Sequence, residues 1–346
     1  MKNFKIRVAI AGMGVVGKKR RLYIEKNTYF ELVAICDIRF KDALHNEKGI
    51  KVYFDHKKMI KELNLDAIFV CVTNDIAPIV VTESLKKGLH VFCEKPPGKD
   101  VQDIEKIIEI EKKFKGLKLM YGFNHRFHDS VRKAKSIIES GDLGKIINLN
   151  GVYGKSKIIT FNQDDWRKKR EISGGGVLLD QGIHMVDLMR FFAGEFNEVN
   201  SFVSNSFWKY DVEDNAYALM KTKLGIVAIL HSSATSWRHR FSLSIALEKG
   251  ALILSGILSG SKSYGSETLT VIKSDPFNDN GDPSETVYKY NNDPSWEDEV
   301  NEFADCIASN NEVTHGSSND ALETMKTVYR IYCSDSEWKK KYNLVI

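Results

Sequence analysis

Residues 6–17 read IRVAIAGMGVVG, and this stretch decides the fold of the first part of the chain. Its first half, residues 6–11, is apolar on both faces, which is typical of a parallel strand covered by helices on both sides. Gly12, Gly14 and Gly17 follow with the spacing G-x-G-x-x-G. Between a strand and a helix, these glycines allow a tight turn, a close approach to a pyrophosphate, and close packing of helix on strand. The alternative is a turn with a structural role alone.

An acidic residue stands where a dinucleotide site needs one. Asp37 follows the next apolar run, about 20 residues after the glycine turn, and is expected to accept hydrogen bonds from the adenosine ribose. Because its carboxylate repels a 2′-phosphate, the sequence predicts NAD as the cofactor. Arg39 leaves NADP open, since its guanidinium could stack on adenine or pair with a phosphate. The helix N-terminus would hold the phosphates. The residues expected at the cofactor are Gly12, Met13, Gly14, Val15, Val16, Gly17, Asp37 and Arg39.

The hydrophobic pattern changes near residue 122. Before it, short apolar runs alternate with amphipathic stretches, which predicts a doubly wound α/β sheet. After it, longer segments alternate apolar and polar residues, as residues 241–247 (FSLSIAL) do. This alternation indicates an antiparallel sheet with one buried face. With 346 residues, we expect two domains, over residues 1–123 and 124–346.

The charge balance gives little support for nucleic-acid binding. The formal net charge is only +4, and the basic cluster of residues 18–21 lies on the helix that follows the glycine turn. We interpret it as a solvated helix face or as contacts with cofactor phosphates.

The five cysteines indicate a reducing compartment. None forms a C-x-x-C pair, so neither a disulfide framework nor a metal site is expected. Cys36, Cys71 and Cys93 fall in apolar runs and are expected to be small buried side chains. We find no signal segment and no apolar stretch of the 18 or so residues that a membrane helix needs. The sequence therefore predicts a cytoplasmic protein without a membrane partner.

Three further motifs carry a family resemblance: residues 93–98 (CEKPPG), 122–127 (GFNHRF) and 174–187 (GGGVLLDQGIHMVD). With the glycine turn, they make the chain resemble the Gfo/Idh/MocA family of sugar and polyol dehydrogenases. The resemblance implies an α/β Rossmann domain followed by an α+β domain with a large, mostly antiparallel, open-faced sheet. It also implies a carbohydrate substrate.

The resemblance implies that Lys95, Asp180 and His184 are catalytic. Lys95 directly follows an apolar strand, at the sheet edge where ligands of α/β proteins bind. A lysine there can stabilise a developing alkoxide, while an exposed surface lysine is the plain alternative. Asp180 and His184 are four residues apart, on one helix face with Asp187 a turn further on. We expect His184 to accept the hydroxyl proton while Asp180 orients it; a core histidine satisfied by its neighbour is the alternative.

The remaining site residues are less specific. The nicotinamide end is expected to contact Thr73, Asn74, Glu94, Lys95 and Asn124. Many relatives have Thr-Pro-Asn-x-x-His where residues 73–78 read TNDIAP, so contacts of that loop are in doubt. The residues expected at the substrate are Tyr153, Lys155, Trp166, Arg167, Asp180 and His184, with Lys157, Trp237 and Arg238 as further candidates. Their cations favour an anionic sugar, and Trp–Arg pairs can cover a sugar ring.

Three functions follow. The first is an NAD(P)-dependent dehydrogenase that moves hydride between a ring secondary alcohol of a sugar, polyol or nucleotide sugar and nicotinamide. The second is a glycoside hydrolase that uses NAD transiently. The third is a cofactor-binding regulatory protein without catalysis. An exposed apolar sheet face also predicts a homodimer or homotetramer.

Overall fold

The computed structural model describes residues 5–40, 49–157, 165–259, 263–275 and 277–346. The chain divides into two compact units. Unit 1 comprises Met1–Asn124 and Trp296–Leu322, and unit 2 comprises His125–Ser295 and Glu323–Ile346.

Strands and helices alternate through unit 1, and strands dominate unit 2. The strands are β1 (Ile6–Ala11), β2 (Phe30–Cys36), β3 (Lys51–Tyr53), β4 (Ala67–Val70), β5 (His90–Glu94), β6 (Leu119–Gly122), β7 (Ile146–Gly154), β8 (Phe196–Ser204), β9 (Asn215–Thr222), β10 (Val227–Ser233), β11 (Arg240–Leu247), β12 (Gly250–Ser255), β13 (Glu267–Lys273) and β14 (Ser284–Tyr290). The helices are α1 (Val15–Lys26), α2 (His56–Glu62), α3 (Ala77–Lys86), α4 (Val101–Glu111), α5 (Asp129–Ser140), α6 (Arg170–Ser173), α7 (Ile183–Ala193), α8 (Ser295–Ala308), α9 (Ser318–Ser334) and α10 (Ser336–Tyr342).

The sheet of unit 1 is parallel, with the strand order β3-β2-β1-β4-β5-β6. The chain moves outward from β1 in one direction and returns through β4 in the other, so the switch point lies at the end of β1, where the glycine turn stands. This confirms the predicted α/β fold. Residues 51–53 were not predicted as a strand, because three residues carry too little pattern to recognise.

Helix α8 belongs to unit 1, although the expected boundary placed all residues after 123 in the second domain. The ring of Phe303 lies 5.5 Å from Phe69, 5.7 Å from Phe92 and 6.3 Å from Phe30, which are side chains of the first sheet. These aromatic contacts bury α8 against the sheet.

The sheet of unit 2 has the order β14-β13-β12-β11-β7-β10-β9-β8. Every pair is antiparallel except β7 with β10, which confirms the predicted mostly antiparallel sheet. Helix α7 packs closely on β7 because Gly151 has no side chain. A Cβ at this position would come within 2.4 Å of Met189 and 2.8 Å of Met185.

The other face of this sheet carries exposed apolar side chains. Leu219 on β9 stands opposite Ile229 on β10, and both are about half exposed. Beside them Tyr217 stacks on His231 with ring centroids 4.2 Å apart. This is the open face of the sheet.

The last helical stretch of the chain is divided into two helices. The first, α9, ends at Ser334, and Asp335 then caps α10 by accepting a hydrogen bond from the Trp338 amide at 2.9 Å. An aspartate at such a cap competes with helical continuation, which explains the break. Within the described residues, none of the helices combines the length and apolar character needed to cross a membrane.

Candidate active site

The three glycines of the first turn meet different requirements. Gly12 has φ +94°, and a Cβ there would lie 2.2 Å from the Cys71 carbonyl oxygen. A Cβ on Gly17 would lie 1.8 Å from the Gly12 oxygen, whereas one on Gly14 would meet nothing within 4 Å. Gly14 is the N-cap of α1, and no side chain caps that helix end. The turn therefore leaves the helix N-terminus and the space beside Gly14 available for a phosphate group.

Asp37 is tied to the glycine turn. Its carboxylate accepts hydrogen bonds from the Met13 amide at 2.8 Å and from the Arg39 guanidinium at 2.7 and 2.6 Å. Burial by itself would raise the pKa of Asp37, but these hydrogen bonds outweigh it and the pKa is lowered. Arg39 also donates to the Met13 oxygen at 2.9 Å. Asp37, which is predicted to discriminate between NAD and NADP, is thus an anion paired with the Arg39 guanidinium.

The other residues predicted for the cofactor follow three adjacent strands. Thr73 and Asn74 come after β4, Glu94 and Lys95 stand at the end of β5, and Asn124 comes after β6. Because parallel strands share an edge at their carboxyl ends, these residues line one edge of the sheet. The Thr73 hydroxyl donates to Asp75 at 2.6 Å, Asn74 is buried and Lys95 is half-buried.

Arg20 corrects the interpretation of the basic cluster. It is fully buried instead of solvated, with its guanidinium 4.4 Å from the Phe92 ring and 4.3 Å from the Trp296 ring. It donates to Glu94 at 2.6 Å and to Glu299 on α8. Arg21, by contrast, forms a surface pair with Glu25. Arg20 can be buried among these aromatic rings because the carboxylates of Glu94 and Glu299 compensate its charge.

The same triad contains an unusual acid. Burial raises the pKa of Glu299 to about 8, because the attraction of Arg20 does not offset the lost hydration and the nearby Glu94 adds to the rise. Within this triad, Glu94 directly precedes Lys95 in the sequence.

In unit 2, Asp180 lies in a π-helical turn, Leu178–Gly182, that leads into α7. Its carboxylate pairs with Lys155 at 3.0 Å and with Arg167 at 3.3 Å. The Arg167 guanidinium also lies 4.3 Å from the Trp166 ring. Four residues predicted for the substrate therefore form one group, although the two cations are paired to Asp180. Such π-turns occur frequently at functional sites.

His184 lies in the first turn of α7 and is 5% exposed. Its ring stacks on His125, with centroids 3.7 Å apart and an angle of 14° between the planes. The His125 Nε2 in turn lies 3.1 Å from the Tyr153 hydroxyl. His125 belongs to the motif of residues 122–127 but was not predicted to have a role; its position next to Asn124 in that motif was the available signal.

Further polar groups join this cluster without having been predicted. Tyr264 donates to Gln181 at 3.3 Å, and its ring lies 5.4 Å from Tyr153 and 5.1 Å from His239. Burial, followed by Tyr264 and Asp180, raises the pKa of Tyr153 well above its ordinary value. Tyr264 lies in a segment rich in serine and glycine, where no hydrophobic periodicity or motif marked it.

Two buried acids hold the motif of residues 174–187 in place. Glu213 accepts hydrogen bonds from the Gly176 amide at 2.7 Å and the Leu178 amide at 2.9 Å, which anchors the π-helical turn. Asp187, one turn beyond His184 on the same helix, forms a bidentate pair with Arg126 at 2.8 and 2.7 Å. Its side chain is fully buried, so its role is structural.

No cluster of metal-binding side chains occurs among the residues that the structure describes. Unit 1 offers a glycine turn with an uncapped helix N-terminus, and unit 2 offers an acid, two histidines and two phenols.

Comparison with known proteins agrees with both units. The family model described as an oxidoreductase family with NAD-binding Rossmann fold matches residues 6–123, and the GFO/IDH/MocA C-terminal domain matches residues 131–253. A myo-inositol 2-dehydrogenase from Thermotoga maritima is 28% identical over 239 residues, which span 66% of this chain and 68% of the relative. A D-glucoside 3-dehydrogenase from Escherichia coli K12 is 30% identical over 257 residues, spanning 67% and 71%. A levoglucosan dehydrogenase in complex with NADH has a TM-score of 0.84 at 18% identity, covering 96% of this chain and 98% of that one.

Proposed function

This chain belongs to the Gfo/Idh/MocA family of NAD(P)-dependent dehydrogenases, and we propose that it oxidises a ring secondary alcohol of a neutral sugar or polyol. The family confirms the resemblance drawn from the sequence motifs, and with it an NAD-binding oxidoreductase of the sugar and polyol dehydrogenase type. We propose the substrate, the site residues and the preference between NAD and NADP from the contacts of the described residues.

One observation carries the choice of substrate. The cluster around Asp180 offers several hydrogen-bonding groups of both kinds within one part of unit 2, as a polyol with neighbouring hydroxyls requires. Lys155 and Arg167 both donate to the Asp180 carboxylate, so a substrate anion would have to compete with Asp180 for either cation, although the three groups together keep a net charge of +1. We therefore propose a neutral ring alcohol in place of the anionic sugar that the sequence favoured.

Each catalytic residue has a defined task in this proposal. The Nε2 or Nδ1 of His184 accepts the hydroxyl proton as the carbon–hydrogen bond breaks. The task of the Lys95 ammonium is to stabilise negative charge that develops on an alkoxide. The Asp180 carboxylate, held by two cations, accepts a hydrogen bond from a neighbouring hydroxyl and orients the ring. The bound nicotinamide supplies the hydride acceptor.

The unit 1 residues fit a dinucleotide. The space beside Gly14 and the uncapped α1 N-terminus would hold the pyrophosphate, and Asp37 would accept hydrogen bonds from the ribose. Because Asp37 carries a lowered pKa, it is an anion at neutral pH and disfavours a 2′-phosphate. We propose NAD as the preferred cofactor.

The test measures NADH formation by the purified protein with inositols, hexoses, glycosides, sugar acids and nucleotide sugars, each with NAD and with NADP. Lys95→Met and His184→Ala should each lower turnover by about 10²–10⁴-fold while cofactor binding persists. Lys87→Met, at an exposed lysine after α3, is the matched control. Turnover near that of the unmodified protein in both catalytic variants would refute the assignment.

The same assay separates the alternatives. A dehydrogenase accumulates NADH in step with product. A glycoside hydrolase using NAD transiently would cleave a glycoside with catalytic cofactor and no net NADH. A regulatory protein would bind cofactor and turn over nothing on the panel.

We expect a homodimer or homotetramer through the open face, where Phe202, Tyr217, Leu219 and Ile229 are 46–79% exposed. A cytoplasmic location is supported by the five cysteines, which are all free. Mass measurement of the native protein and of Ile229→Lys tests the interface.

A further inference from the structure

Two histidines of unit 2 share one stacked arrangement, and only one of them has a task in the proposed reaction. His125 lies in the short 3₁₀ helix Asn124–Phe127 and His184 in the first turn of α7. Their rings are nearly parallel, with centroids 3.7 Å apart. Both side chains are buried, at 7% and 5% exposure. The face of His184 is therefore covered by another imidazole, and not by solvent.

The orientation of His125 is fixed from the far side. Its Nε2 lies 3.1 Å from the Tyr153 hydroxyl, and Tyr153 is held by edge contacts with Phe241 and Tyr264 at 5.1 and 5.4 Å. Because the pKa of Tyr153 is raised well above its ordinary value, its hydroxyl keeps its proton over the whole neutral range. The His125 ring thus has a neutral, immobile hydrogen-bond partner.

Stacking at this distance has an electrostatic consequence. Two imidazolium rings in van der Waals contact, away from water, repel each other strongly, so a proton on one ring disfavours a proton on the other. One charged and one neutral ring can share such a stack. Interacting groups of this kind take up protons in two macroscopic steps.

Charged groups near the pair have partners of their own. His128, whose ring lies 5.5 Å from His125, is bonded to Glu267. Arg126 and Asp187 neutralise each other, and Asp180 is paired with two cations.

We propose that His125 is a positioning residue for His184: it holds the plane of the catalytic ring, and the stacked pair accepts one proton across the neutral pH range. This inference rests on the proposed function, since it assigns His184 the proton that leaves the substrate. His125 does not touch the reacting atoms. It keeps His184 ready to accept a proton and stabilises the product imidazolium through its neutral ring.

The experiment follows histidine titration by NMR in the full-length protein labelled at its nine histidines, which needs no substrate. Spectra of His125→Phe and His184→Gln assign the two rings. In the unmodified protein we expect both rings to titrate in the same two coupled steps. In His125→Phe, His184 should titrate in a single step. Independent single-step titrations of the two rings in the unmodified protein would overturn the proposal.

Kinetics provide the second measurement. His125→Phe keeps an aromatic face and should retain kcat within about threefold above neutral pH, whereas His125→Ala should lower kcat roughly tenfold or more with an unchanged KM for the cofactor. Tyr153→Phe should change the pH profile of kcat in the same direction as His125→Phe. The matched control is His231→Phe, which removes a stacked histidine on the open face of the sheet. Equal kcat in His125→Ala and His231→Phe would overturn the positioning role.

The NMR titration and the activity assay test the stacked histidine pair and the proposed function separately. Coupled titration without activity on any sugar would refute the proposed function and leave the stacked pair standing. Sugar oxidation with uncoupled titration would refute the pair and leave the proposed function standing.

Discussion

Replacing Glu299 by Gln should remove a pH dependence from the stability of unit 1. Glu299 lies fully buried on α8 beside Arg20, which also holds Glu94. With Glu299 protonated, the triad carries no net charge, and its loss of hydration is smallest. The amide of Gln has nearly the same shape and can still accept a hydrogen bond from Arg20, but it cannot ionise.

The magnitude follows from linkage between protonation and folding. The pKa of Glu299 rises from an ordinary value of 4.5 to about 8 in the folded protein. Between these values the folded chain retains a proton that the unfolded chain releases, so stability falls as pH rises from about 4.5 to about 8 and changes no further above it. At about 1.4 kcal/mol for each pH unit, the loss over this interval is about 5 kcal/mol.

The assay is urea unfolding at several pH values between 5 and 9. Relative to the unmodified protein, Glu299→Gln should gain a few kcal/mol of stability between the two ends of this range, because the loss described above is absent. Glu297→Gln, at an exposed position of the same helix, is the matched control and should parallel the unmodified protein. Parallel profiles for Glu299→Gln and the unmodified protein would refute a protonated Glu299.

Three further outcomes are expected. Asp37→Ser should raise the ratio of kcat/KM with NADP to that with NAD at least about tenfold, since it removes the carboxylate that repels a 2′-phosphate; an unchanged ratio would contradict that role. Gly12→Ala forces a Cβ to within 2.2 Å of the Cys71 oxygen at φ +94°, so thermal unfolding should occur several degrees lower and NADH binding should weaken, and a normal melting temperature would count against the turn. Asp187→Ala leaves the buried Arg126 without its partner and should cost about 3–5 kcal/mol, whereas a change under 1 kcal/mol in urea unfolding would show that the pair is dispensable.

The sequence by itself determined the elements and the turn. Apolar runs and alternation identified most strands of both sheets, because the two faces of a strand record directly whether each is buried. The glycine turn was equally readable, since its requirements at Gly12 and Gly17 arise from backbone geometry and close neighbours. Position after a strand also placed Lys95 at the sheet edge.

Only the tertiary structure decided which charges are buried and which partners they have. Arg20 seemed one of four surface cations until Glu299, 279 residues further along the chain, compensated it. The same holds for Asp180 with its two cations, for the stacking of His125 on His184, and for Tyr264 beside Tyr153. Local pattern records burial by periodicity, whereas the free energy of a buried charge depends on partners that only the folded chain brings within a few ångströms.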